Sequence, residues 1–266
     1  MMEFTATCLF GLEKQLGEEI DALGYDRTET IDGRVTFAAD CEGVALANVF
    51  LRYAERVYIK LGSFRAESFD ELYRGTRALN FADFIAKNDA FPVKGHAIKS
   101  KLFSVPDCQS IVKKAVVDRL SARYGVKWFA ETETKYQIEF FLFKDTVSLM
   151  IDTSGVPLHK RGYRREANAA PMRETLAAAI AATSRPREDV LLWDPMCGSG
   201  TIPIEAALIA RNIAPGVFRQ GYAFEKWKDY DSALFKSIYE DDSAEREFKH
   251  KIYGYDVDGR MVACAR

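Results

Sequence analysis

The 266-residue sequence predicts a mixed α+β and α/β chain of roughly two domains. Three observations carry that reading. Through residue 152, short alternating apolar runs trade places with stretches of helical periodicity, as in a layered α+β unit. From Asp189 the run Asp189-Val190-Leu191-Leu192-Trp193 has the length and composition of a buried parallel strand. A turn with two glycines follows, and then Ile202, Ala206, Leu208, Ile209 and Ile213 recur at roughly helical spacing, the strand–turn–helix opening of an α/β sheet.

In chain order, Phe4 to Phe10 reads as a strand, and Leu12, Leu16, Ile20 and Leu23 mark one face of a helix that Gly24 can end. Arg34 to Ala38 is a second strand, Val44, Leu46, Ala47 and Leu51 lie on a second helix, and Val57, Ile59 and Leu61 alternate in a third strand. Residues 63–152 make the next unit. Ser68 and Glu71 have the spacing of a capping box, Ala97 to Leu102 reads as a strand, and Ile111, Val112, Ala115, Val116 and Leu120 form an apolar helix face after Pro106. Ile138, Phe140 and Leu142, then Val147, Leu149 and Ile151, flank Lys144-Asp145 as a hairpin would. Ala169 to about Thr183 reads as an Ala-rich helix with Pro171 in its first turn.

Composition narrows the classes. A net charge of −2 means that any nucleic-acid surface is local. Five scattered cysteines without a Cys-x-x-Cys pair argue against a disulfide framework or a zinc site and suit a reducing cytoplasm. The first residues lack the basic and apolar regions of a signal peptide, and no apolar run approaches a membrane span.

Two basic regions stand out. Lys99, Lys101, Lys113 and Lys114 can meet phosphates as point charges, or form a solvated face. Leu158-His159-Lys160-Arg161-Gly162-Tyr163-Arg164-Arg165 is the densest basic stretch. Its arginines can fork onto phosphate and Tyr163 can stack on an unpaired base; alternatively the arginines pin two domains together through acidic partners. His159 is assigned no general-base role.

The glycine turn is Asp194-Pro195-Met196-Cys197-Gly198-Ser199-Gly200-Thr201. Without Gly-Lys-Ser/Thr it is no triphosphate cradle, and Pro203 stands where Gly-x-Gly-x-x-Gly needs its third glycine. Asp194 would repel a pyrophosphate but suits a cationic ligand. S-adenosylmethionine carries a sulfonium and an ammonium, and Asp194 can hold the ammonium. Asp194, Pro195, Met196, Gly198, Ser199 and Gly200 are the candidate cofactor contacts. Asp256, ending a second strand from Lys251, takes the position of an acidic ribose ligand. Asp258 can instead cap the next helix.

The string Asp-Pro-Met-Cys-Gly-Ser-Gly-Thr resembles that of RNA methylases carrying a THUMP domain, nearest the bacterial enzymes that methylate the guanosine N2 amine in 23S ribosomal RNA. The run Lys99-Ser100-Lys101-Leu102-Phe103, with the helix containing Lys113-Lys114, resembles the RNA-binding THUMP fold, and Leu-His-Lys-Arg-Gly-Tyr-Arg stands in the same place in that family. The resemblance implies a ferredoxin-like subdomain (1–62), a THUMP domain (63–153), a basic connector (154–165) and the first part of a Rossmann-like methyltransferase domain (166–266). It implies an S-adenosylmethionine cofactor, an RNA partner, no metal, and Pro171 and Arg173 as cofactor neighbours; plain helix packing explains the last two equally well. It also implies that residues 212–249 are an insertion covering the cofactor or helping to bind RNA. The family's Asn-Pro-Pro-Tyr stretch, which holds the target amine, has no counterpart here. The sequence is therefore expected to be part of a longer protein, with its catalytic residues beyond Arg266, and to be inactive as it stands. A non-catalytic THUMP protein and an adenine-specific DNA methyltransferase are the alternatives.

Overall fold

The computed structural model describes residues 1–164, 171–186, 190–228, 230–249 and 251–265. Its first half is one continuous seven-stranded sheet built from β1 (Met2–Cys8), β2 (Asp26–Ile31), β3 (Arg34–Ala39), β4 (Ala54–Arg65), β5 (Val93–Ile98), β6 (Ile138–Phe143) and β7 (Thr146–Asp152) in the order β2-β3-β1-β4-β7-β6-β5. Every pairing is antiparallel except β5 with β6. Strand β4 is the seam. Its first residues pair with β1 and its last ones with β7, so the strand crosses the expected boundary at residues 62 and 63.

Helices α1 (Glu13–Ala22) and α2 (Glu42–Phe50) cover the β1–β4 part and close a core around Phe4, Leu16, Ile20, Phe37, Ala47 and Val57. Helices α3 (Phe69–Ala78) and α4 (Val105–Tyr124) cover the other part, over Leu72, Val112, Leu120, Phe140 and Leu149. The expected capping box forms: the Ser68 hydroxyl accepts from the Glu71 N–H and the Glu71 carboxylate accepts from the Ser68 N–H. The hairpin also forms, with Lys144 at φ 48° and Asp145 at φ 63°, the left-handed pair a two-residue turn demands even without glycine. Two expectations shift. The strand placed at Ala97–Leu102 runs from Val93 to Ile98, and β2, exposed along its whole length, has no apolar alternation to announce it.

The second half holds α5 (Glu174–Thr183), β8 (Leu192–Asp194), α6 (Thr201–Ala210), α7 (Ser232–Tyr239), β9 (Ile252–Gly254) and α8 (Gly259–Ala265). Strands β8 and β9 pair in parallel, Leu192 opposite Ile252. Helix α5 begins at Glu174, three residues after Pro171, so Pro171 precedes the helix rather than sitting in its first turn. Ala169 and Asp189, the expected starts of that helix and of β8, lie outside the described residues.

Two devices join the halves. The first is a strap, residues 212–228 and 230–239, that leaves α6 and lies on the N-terminal unit. Tyr222, Phe224, Phe235 and Ile238 enter the same core as Phe4 and Val57. Gly216 N–H donates to the Val49 carbonyl at 2.9 Å and Phe224 N–H to the Thr153 carbonyl at 3.1 Å. Trp227 stacks on Tyr136 of the second unit at 5.0 Å. The chain before α5 must pass close beneath the strap: Gly162 has φ 102°, and a Cβ there would fall 2.1 Å from the Phe218 carbonyl oxygen.

The second device is a buried ionic cluster. Glu205 of α6 is fully buried; its Oε1 accepts from Tyr163 Oη at 3.0 Å and from Arg161 Nε at 3.5 Å, and its Oε2 lies 3.6 Å from Arg52 Nη1. Arg161 donates to the carbonyls of Arg52 (2.5 Å) and Leu158 (2.9 Å), and Arg52 to that of Ile213 (2.7 Å). Glu19 Oε2 accepts the backbone N–H groups of Arg52 and Tyr53. Burial pushes the Glu19 carboxyl up to about 7, against the opposing pull of those N–H groups and the neighbouring guanidiniums.

Glu19 therefore favours folding at acid pH, and that contribution is lost as pH rises. The unfolded chain ionises Glu19 first, near the ordinary glutamate value, while the folded one holds its proton to about 7. Denaturant unfolding at pH 4.5 and pH 8 should show a Glu19 contribution smaller at pH 8, by on the order of 3 kcal/mol. In Glu19→Gln that part of the pH dependence should vanish; an unchanged profile would show that Glu19 does not titrate in this window.

Candidate functional site

The glycine turn forms between β8 and α6 as the sequence implies. Tyr255 N–H donates to the Asp194 carbonyl at 2.9 Å and Cys197 N–H to the Tyr255 carbonyl at 2.8 Å, so β9 and the loop after it are stitched to the turn. Gly198 (φ 53°) and Gly200 (φ 80°) take left-handed angles that a side chain disfavours. Nothing lies within 4 Å of where a Cβ on Gly198 would be, so the turn presents bare backbone to open space there.

The two carboxylates differ in how they are engaged. Asp194 Oδ1 accepts the Met196 N–H at 3.0 Å, while Asp194 Oδ2 is buried and has no hydrogen-bond partner among the described residues. A buried carboxylate oxygen left without a donor is costly, and it matches a site completed by a cationic or N–H-bearing ligand. Asp256 braces the turn: its Oδ2 accepts the Gly198 N–H and its Oδ1 the Asp258 N–H, each at 2.9 Å. Each oxygen keeps a second lone pair for an outside donor. Asp258 caps α8, with its Oδ1 accepting from the Arg260 N–H at 2.9 Å. Pro195 and Met196 are exposed at the turn, Met196 by 82%, and Ser199 is buried behind it. This donor set fits an aminosulfonium nucleoside better than a pyrophosphate.

The basic connector is placed differently from the phosphate-contact expectation. Arg161 is 1% exposed and wholly committed to Glu205 and two carbonyls, which removes it as an RNA contact. Tyr163 spends its hydroxyl on Glu205 instead of offering its ring to a base. His159 Nδ1 meets Glu55 Oε2 at 2.9 Å, and Arg164 binds Thr201 Oγ1 (2.6 Å) and Glu174 (3.4 Å). The physical reason is common to all four: carboxylates from β4, α5 and α6 converge on this segment and draw its charges inward. Pinning of the two halves is the reading the geometry supports. Lys160 remains exposed. Arg165 lies outside the described residues, and so does Arg266, the position beyond which the catalytic residues are expected.

Of the four THUMP-region lysines, Lys101 pairs with Glu67, and Lys113 pairs with Glu131 at 2.5 Å while its ammonium sits 3.6 Å from the Phe91 ring centroid. Lys99 and Lys114 are exposed. Pro171 and Arg173 line a cleft beside Arg164 and Glu174, and Arg173 reaches Glu55 at 3.2 Å. Glu205 belongs to none of the sequence motifs. Its signal is a lone carboxylate inside the apolar stretch Ile202–Ala210, which calls for a buried partner.

Among the described residues no group of three or more His, Cys, Asp or Glu side chains is arranged to hold a metal ion, and no helix is long and apolar enough to cross a membrane. The cysteines are unbridged.

Losing Arg161 should cost stability rather than affinity for RNA. Arg161→Ala leaves Glu205 with one guanidinium in a dry site and should lower the unfolding free energy by about 3–5 kcal/mol. Urea titration measures that loss. At temperatures where the variant stays folded, a change in the salt dependence of its RNA binding would contradict the placement.

Comparison with known families agrees with the architecture. Residues 3–58 match the RlmL ferredoxin-like domain, 66–152 the THUMP domain and 161–266 the RMKL-like methyltransferase domain. A proposed RNA methyltransferase of Bacillus subtilis (strain 168), YpsC, is 42% identical over 265 residues, covering 98% of this chain and 68% of YpsC. A predicted N6-adenine-specific DNA methylase from Listeria monocytogenes str. 4b F2365 superposes with a TM-score of 0.93 at 42% identity, over 99% of this chain and 70% of that one. SMU.472, a proposed methyltransferase solved in complex with SAH, gives 0.90 at 39% identity over 99% of this chain and 70% of its own. With its ferredoxin-like unit, its THUMP domain and a glycine turn ready for a cationic nucleoside, the chain belongs to the THUMP-domain methyltransferase family of the RMKL type.

Proposed function

We propose that this protein is an S-adenosylmethionine-dependent RNA methyltransferase of the cytoplasm acting on the exocyclic N2 amine of guanosine in large-subunit ribosomal RNA. The observation that carries the cofactor is the unpartnered, buried Asp194 Oδ2 beside the open face of Gly198. SMU.472, with SAH bound and a similar chain throughout, supports it. Asp194 would hold the ammonium, the Gly198 backbone would lie against the ligand, and Asp256 would take the ribose hydroxyls on its free lone pairs. Bound S-adenosylmethionine supplies a methyl group already activated on sulfur, which leaves the protein mainly the task of alignment.

The THUMP domain and the similarity to YpsC favour RNA over DNA as the acceptor. The guanosine amine rests on the resemblance of the Asp-Pro-Met-Cys-Gly-Ser-Gly-Thr string alone. Because no Asn-Pro-Pro stretch is present, the 266-residue form binds cofactor without transferring methyl. The second reading is adenine methylation of DNA, the activity for which the Listeria relative is named.

Calorimetry separates these from a dinucleotide site. SAH should bind and NAD should not. Asp256→Ala should weaken SAH by about 1.5–3 kcal/mol, roughly one to two orders of magnitude. Gly198→Val should be at least as damaging, since its side chain strains a left-handed residue and fills the ligand's space. NAD binding without SAH binding would overturn the cofactor assignment. Radiolabelled methyl transfer by the 266-residue form would overturn the claim that it is inactive, and transfer to DNA in preference to ribosomal RNA would favour the second reading.

A further inference from the structure

A cleft of about 1370 Å3 opens where the second N-terminal unit, the connector and the strap meet. It exceeds the roughly 300–1,000 Å3 of a small-molecule site. Its lining holds eight Lys or Arg residues against four Asp or Glu, in a protein of net charge −2. Charge of one sign is thus concentrated where two walls face each other, which focuses the field on the space between.

The cations fall into three groups. Arg56, Arg164 and Arg173 are paired with Asp152, Glu174 and Glu55. Lys94 at the sheet's edge strand, Lys135, Lys160 and Lys226 are exposed, and none makes an ion pair among the described residues. Arg219 is the informative one. It is 8% exposed and donates to three backbone carbonyls, those of Val156 (2.7 Å), Pro157 (2.8 Å) and Lys160 (2.7 Å). Its guanidinium lies 4.8 Å from the Tyr222 ring centroid, and its Nε has no hydrogen-bond partner among the described residues. Carbonyl dipoles hold it in place, yet among the described residues no carboxylate balances it. A buried cation in that state is expensive unless an anion reaches the site.

We propose that this cleft binds the phosphate backbone of an unpaired RNA segment, with Arg219 and Lys160 on one wall and Lys94 and Lys135 on the other. The proposal rests on the RNA reading above and names which surface and which form of RNA it involves. Unpaired RNA follows from size and chemistry. The volume holds a few nucleotides rather than a turn of duplex, and the exposed His96 offers an imidazole face on which a splayed base can stack. A base must also leave its helix before its exocyclic amine can react. Lys99, Lys101, Lys113 and Lys114 are not part of this lining.

The test uses the full 266-residue chain and fluorescence anisotropy with a labelled, unstructured 12-nucleotide RNA between 50 and 200 mM salt. Lys94→Glu/Lys135→Glu alters two exposed side chains; circular dichroism and SAH titration check that it folds as the parent does. Its affinity should fall at least tenfold, and its log-affinity against log-salt slope should become shallower by roughly 1.4, about 0.7 for each lost phosphate contact. The charge-matched Lys14→Glu/Lys236→Glu, on surfaces away from the cleft, should stay within twofold of the parent. If the parent binds RNA and the two double variants behave alike, the cleft is refuted while the RNA reading survives. If duplex RNA of the same sequence competes better than the single strand, the unpaired form is refuted. If the parent binds SAH but no RNA, both this proposal and the RNA reading fall.

Discussion

The structure depends on one buried carboxylate. Glu205 sits on the helix that starts at the glycine turn, and it gathers Arg52 from the N-terminal unit with Arg161 and Tyr163 from the connector. Ion pairs in dry surroundings add little net stability against apolar packing, but removing one member leaves the others uncompensated. Their value here is registry. A helix docked through apolar contacts alone can slide; one whose carboxylate must meet two guanidiniums and a phenol cannot do so cheaply. The turn that presents Gly198 and Asp194 is thereby held at a fixed place relative to the N-terminal sheet.

The strap works toward the same end by different physics. Its aromatic residues, Tyr222, Phe224, Tyr230, Phe235 and Tyr239, pack mostly edge-on or tilted against one another and enter the core beneath α2, while Trp227 reaches the second unit. The methyltransferase-type half is thus clamped at one end by charge and at the other by apolar area. The space left between the two clamps is the cationic cleft, and Arg219 belongs both to the strap and to that cleft's wall.

Much of this is legible in the sequence where the signal is local. The capping box at Ser68 and Glu71, the hairpin about Lys144-Asp145 and the glycine turn each involve residues a few positions apart, and each forms as read. The basic connector is not legible in that way, because its side chains are decided by partners far along the chain. Arg161 meets Glu205 and the Arg52 carbonyl, 44 and 109 positions away, and His159 meets Glu55 at a separation of 104. A run of arginines looks the same whether it faces phosphate or buried carboxylates. Strand β2 escapes a sequence reading because a fully exposed edge strand carries no alternation, and the β5 boundary slips because Gly95, packed tightly over Phe140, interrupts its pattern.

One chain is thus proposed to present two ligand sites: a nucleoside site at the glycine turn that precedes α6 and an anionic strand site in the cleft walled by the strap. Hydrogen–deuterium exchange of the 266-residue protein, with SAH, with single-stranded RNA and with neither, tests that arrangement most directly. SAH should slow exchange at residues 194–201 and 254–258. RNA should slow it at 93–96, 135–137, 156–160 and 219–226. Protection by RNA confined to the surface around Lys99 and Lys114, or protection by SAH away from the turn, would contradict it.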